Sequence, residues 1–196
     1  MKSLWIPLLI SFAAACTPAA QEPAQKAPVQ IDQAAQVGEA RMKIKEFATA
    51  LGGHMKKGMM EGGPTAAIGV CNEKAPEVAV QVSEGPWNVG RTALKYRNAA
   101  NKPDAWEEKV LMDFEAQKAA GTPIADLDYS EVVVVNGQQT FRYMKAIPTQ
   151  AMCLKCHATD LDPAIEAKLK ELYPDDRARG FVEGDIRGAF TLSKPL

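Results

Sequence analysis

The stretch YSEVVVVNGQQTFRYMKAI, Tyr129 to Ile147, decides the fold class. Two runs rich in β-branched and aromatic residues flank Asn136-Gly137. A two-residue type I′ turn needs positive φ at both central positions, which asparagine tolerates and glycine adopts freely. The pair therefore predicts a tight antiparallel hairpin. Working outward, DIRGAFTLS near the C-terminus and NVGRTALKYR upstream both alternate as strands. The other periodic segments are helical. From Gln33 to about Met60 apolar residues recur at three- and four-residue spacing, weakened at Gly52-Gly53. Pro64 opens a second helical region that Pro76 is expected to interrupt. Pro103-Asp104 starts a helix that Gly121 ends, and Asp162-Pro163 starts a short one that Pro174 stops. Helices at both ends around an antiparallel sheet make the class α+β.

Just beyond the hairpin stands MCLKCHATD, Met152 to Asp160, with Cys153, Cys156 and His157 in a CxxCH arrangement. Two intervening residues let both sulfurs reach one porphyrin edge for thioether bonds to its vinyl groups. The next residue then points under the ring, where an imidazole can ligate iron. With 4 cysteines and 2 histidines among 196 residues, a shuffled chain would contain the motif about once in a thousand. The spacing thus predicts one covalently bound haem c. Two other uses of the residues compete. A thioredoxin-like dithiol needs a helix directly after its cysteines, and here the next helix is expected only from about Asp162. A zinc site would draw on Cys71, Cys153, Cys156 and His157, but the adjacent Cys156 and His157 are poorly spaced to chelate one tetrahedral ion.

No methionine, histidine or cysteine follows His157, so a second axial ligand must lie upstream. The candidates are His54, Cys71, Met60 and Met144. Cysteine accounting favours Cys71, because an unassigned thiol in an oxidising compartment implies a use. Arg91, Arg97 and Lys145 are candidate partners for the haem propionates.

The compartment is read from the first residues. MKSLWIPLLISFAAAC has a charged start, a short apolar run and small residues before Cys16, the layout of a lipoprotein-type export signal. The run is too short to span a bilayer. Cys16 is the expected lipid-attachment residue. TPAAQEPAQKAPVQID, residues 17–32, is poor in large apolar residues and reads as a tether. This divides the chain into a signal over 1–16, a tether over 17–32 and one domain over 33–196. A periplasmic protein held to a bacterial membrane by lipid is the result. A formal net charge of −1 without a basic run excludes a nucleic-acid surface.

AIGVCNEKAP, VGRTALKYRN with PDAW after it, RYMKAIPTQAMCLKCH and YPDDRARGFVEGDIRGAF together resemble a known family. It is that of the PAS-like single-haem c-type domains, which occur as stand-alone exported proteins and as sensor regions of some histidine kinases. The resemblance implies a PAS-like sheet with flanking helices, and iron held by His157 and Cys71. It implies one-electron transfer, or sensing of redox state or a diatomic gas, with a redox or signalling protein as partner. A haem peroxidase is the enzymatic alternative. It would need an open iron face with a distal acid–base group.

Overall fold

The computed structural model describes residues 30–196. The expected export signal, Cys16 and most of the expected tether lie outside the described residues. Ile31 packs against the core, and Asp32 accepts from Ala35 N as helix cap.

Helix α1 (Gln33–Val82) is two limbs joined at a sharp break. Gly62 and Gly63 leave helical geometry (φ −151°, and φ +68° with ψ −160°), and Pro64 restarts the helix. The first limb runs unbroken through Gly52-Gly53, contrary to the weakening expected there. The second carries Pro76 without a non-helical residue. Both positions lie inside packed limbs, and tertiary burial outweighs the roughly 1 kcal/mol of a glycine and the ~3 kcal/mol of a proline. Ala40, Ile44, Phe47 and Leu51 of one limb join Ala75, Val78 and Val82 of the other in a single core. Near the break the limbs almost touch. A Cβ on Gly58 would lie 3.2 Å from Ala67 Cα.

The sheet contains β1 (Asn88–Thr92), β2 (Asp128–Val135), β3 (Gln138–Pro148) and β4 (Ile186–Pro195), all antiparallel in the order β1-β4-β3-β2. The hairpin is as expected, with Asn136 at φ +51° and Gly137 at φ +80°. Alternation divides the strands between two faces. Val89, Phe141, Tyr143 and Leu192 pack on α1. Met144, Ala146 and Ala189 pack on Val110, Leu111 and Phe114 of α2 (Ala105–Ala119), whose capping box pairs Asp104 with Glu107. The strand expected over NVGRTALKYR stops at Thr92. There the chain bends out of the sheet, with Ala93 N donating to Asn101 O, and Tyr96 O accepts from Arg177 N.

Two short helices complete the domain. α3 (Leu154–His157) is one turn, and α4 (Pro163–Leu172) is capped by Asp162. Ile165, Leu169 and Tyr173 pack on Ile68 of α1. Among the described residues no helix is long and apolar enough to cross a membrane.

Candidate functional site

The CxxCH segment leaves β3 through a short, well-pinned connection. Thr149 N donates to Asp185 O (2.7 Å), and Thr149 O accepts from Gly184 N (2.9 Å). A 3₁₀ turn over Ala151–Cys153 runs into α3. Cys156 and His157 are therefore helical themselves, not part of a loop awaiting the helix at Asp162. One turn is enough to put Cys153 and Cys156 three positions apart on one side and to start His157 in a new direction.

His157 is held on a single carbonyl. Its Nδ1 lies 2.9 Å from Ala178 O. A carbonyl only accepts, so Nδ1 carries the proton and Nε2 keeps its lone pair. Arg187 Nε donates to that lone pair at 3.3 Å. Burial, then the positive charges of Arg187 and Arg97, push the imidazole down to about 2. The ring stays neutral, with its donor nitrogen defined.

Arg187 reaches this position through a β-bulge. Ile147 opposes Gly188 and Pro148 opposes Ile186, so Arg187 has no residue across from it. The extra residue reverses the alternation, sending Ile186 into the α2 core and Arg187 toward His157. Gly188, at φ +150°, permits this. A Cβ there would sit 2.5 Å from Thr92 O and 2.8 Å from Ala93 Cβ.

Arg97 clamps the other side. Its guanidinium donates to Cys156 O and to Ala178 O, and it pairs with Asp176 at 3.2 Å with both side chains buried. One residue thus grips both the CxxCH turn and the carbonyl that orients His157. Its Nε and Nη2 are engaged within the protein, which leaves Nη1 alone for the propionate role read from the sequence. Lys145 is likewise turned to Ala125 O, at 2.7 Å.

Arg91 fits that role better. It is half-buried, its ring partner is Phe47 at 5.4 Å, and no carboxylate pairs with it among the described residues. Burial lowers its pKa, opposed by Cys71 and Tyr173. Cys71 lies in the second limb of α1, one turn after Ile68, and Cys156 packs on the cluster that contains Ile68. Burial pushes the Cys71 thiol up, Arg91 pulls it down, and Cys156 is near enough to add to the rise. Burial raises the Cys156 thiol too, against Arg97.

The fold thus brings Cys71, Cys153, Cys156 and His157 to one region. His54 and Met60 are exposed, and Met144 is fully buried in the α2 core. Arg187 escaped sequence reading, although GDIRGAF, with glycines either side of an arginine in a strand, carries the bulge signal.

A helical hairpin and an antiparallel sheet closed around a pinned CxxCH turn define a class of small α+β domain. The chain belongs to the Tll0287-like family, whose model matches residues 17–195. A crystal structure of the cyanobacterial heme-protein Tll0287 is similar at 26% identity and a TM-score of 0.61, over 82% of this chain and 95% of that one. No curated protein matches. The resemblance read from the sequence, and the α+β class, are borne out by these matches.

Proposed function

We propose that this chain is a c-type haem protein, with Cys153 and Cys156 as thioether residues and His157 and Cys71 as axial ligands. The observation that carries the proposal is the state of His157. It is half-buried, neutral and fixed by Ala178 O so that the Nε2 lone pair, met here by Arg187, is the one iron would take, beside two thiols at haem-attachment spacing. The family's structurally characterised heme-protein supports it. So does Arg91, a half-buried cation with no carboxylate partner among the described residues, which suits an anionic propionate. A zinc site finds less support. Among the described residues no three His, Cys, Asp or Glu side chains gather as an ion cage.

When bound, such a group supplies one-electron ferric/ferrous chemistry. The protein's residues set its terms. The Ala178 carbonyl, accepting from Nδ1, raises the basicity of Nε2. Arg97 draws on the same carbonyl and limits that gain. Cys71 would give a thiolate, a charged donor that favours ferric iron and lowers the potential. The role proposed is electron transfer or redox or gas sensing, in an exported protein anchored through Cys16.

The test is haem chemistry on protein made with a c-type maturation system. Haem should remain with the chain through acid–acetone extraction, and its pyridine haemochrome should report two thioethers. Cys153→Ser or Cys156→Ser should leave one. Haem that extracts freely would overturn the proposal.

A further inference from the structure

A cavity of about 200 Å³ lies against the bulge, lined by Leu94, Lys95, Leu111, Phe181, Ile186 and Arg187, with Glu115, Asp185 and Gly188 completing its wall. None of Cys71, Cys153, Cys156 and His157 lines it. It sits where α2 meets the start of β4, beside the CxxCH region rather than within it. For scale, an apolar cavity of ~150 Å³ holds benzene. The walls are mainly apolar, and the charges on them are unequal. Asp185 is already neutralised by Lys118 at 3.0 Å and accepts from Val182 N. Glu115 is exposed at the rim. Lys95 and Arg187 have no carboxylate partner among the described residues, only the carbonyls Arg179 O (3.4 Å, from Lys95 Nζ) and Lys95 O (3.2 Å, from Arg187 Nη1); each lies over the Phe181 ring, at 5.1 and 5.2 Å. A pocket with apolar walls and two unpaired cations at one end has the recognition chemistry of a small organic anion.

The same pocket touches the CxxCH region through two of its lining residues. Arg187 donates to His157 Nε2, and Phe181 meets the His157 ring edge-on with centroids 5.9 Å apart. Phe181 N also donates to His157 O. Iron on Nε2 would take the lone pair that Arg187 meets here, leaving the guanidinium beside His157 and free to face the cavity.

We propose that this cavity binds a short monocarboxylate, of the size of butyrate or benzoate, with the carboxylate on Arg187 and Lys95 and the apolar part on Leu94, Leu111 and Ile186. Its occupancy is felt at His157 through the charge on Arg187 rather than through a hydrogen bond to Nε2. The binding half is independent of the haem reading, whereas the coupling half rests on it. A bound anion cancels positive charge beside the iron ligand, so it stabilises ferric over ferrous iron and moves the potential down.

The experiment titrates butyrate, and butyramide as its neutral isostere, into the haem-loaded protein by calorimetry, with redox titration at each end point. Butyrate should bind saturably, at least about tenfold more tightly than butyramide, the least expected for losing charge-assisted hydrogen bonds. Lys95→Met should weaken butyrate by a similar factor, and Leu94→Trp, at an exposed position, should block the cavity. No saturable binding, equal binding of the two compounds, or binding indifferent to both variants would overturn the site. Binding with an unmoved potential would overturn the coupling. Should the purified chain carry no covalent haem, calorimetry still tests the site, and it is the reading of the CxxCH motif that falls.

Discussion

Replacing Gly188 with alanine tests whether the bulge that aims Arg187 depends on a missing side chain. The new Cβ would lie 2.5 Å from Thr92 O and 2.8 Å from Ala93 Cβ, both parts of a neighbouring strand end that cannot rotate aside. Relief requires β1 and β4 to part locally by about half an ångström, an overpacking cost of ~1–3 kcal/mol. Holding a side chain at φ +150° adds about 1–3 kcal/mol. Gly188→Ala should therefore destabilise by about 3 kcal/mol, lowering the melting temperature by roughly 6–12 °C for a domain of this size. Gly90→Ala is the control, since its Cβ would lie 3.7 Å from Thr191 Cγ2, an ordinary contact. Thermal and urea unfolding of the parent and both variants decide the matter. If the chain escapes the strain by straightening the bulge, Arg187 turns away from His157 and the haem spectrum changes as well. A melting temperature within about 2 °C of the parent, or equal losses at both glycines, would refute the reasoning.

Cys71→Ala should convert a low-spin ferric spectrum to high spin, or to a substitute ligand, and raise the potential; an unchanged EPR spectrum would remove Cys71 from the iron. Arg97→Met leaves Asp176 with Arg179 at 2.9 Å but strips the clamp from Cys156 O and Ala178 O. It should cost about 2–3 kcal/mol by urea unfolding, less than the 3–5 of a buried charge left wholly alone. In haem-free protein His157 makes stability depend on pH. The unfolded chain takes its proton near 6.5 and the folded chain near 2, so the unfolded state binds more protons between these values. The contribution is full above pH 6.5 and falls on acidification by up to about 1.4 kcal/mol per pH unit. Urea midpoints at pH 7 and 5 should diverge in the parent more than in His157→Gln, and parallel profiles would contradict the burial of a neutral ring.

Much of the architecture is legible locally because local chemistry dictates it. Asn136-Gly137 admits few backbones other than the tight turn, and Asp104 and Asp162 cap helices through their own next few residues. Where sequence reading failed, a long-range partner intervened. Gly52-Gly53 and Pro76 argue against helix by propensity, yet each lies in a limb whose neighbours bury a shared core. The Leu94–Arg97 segment alternates like a strand but leaves the sheet, and Tyr96 O accepts from Arg177 N far along the chain.

The candidate site divides in the same way. The residue types and spacing of Cys153, Cys156 and His157 are written in five consecutive letters, which is all that the proposed attachment of one flat ring from one turn would require. What the imidazole donates, and to what, depends on residues remote in sequence. Ala178 fixes its tautomer, Arg97 grips the turn, and a bulge opposite Ile147 and Pro148 delivers Arg187. Arg91, Arg97 and Arg187 are alike as letters. Only the tertiary structure distinguishes the one paired with a carboxylate from the two that are not, because an arginine's role is set by which groups surround its charge once water is excluded.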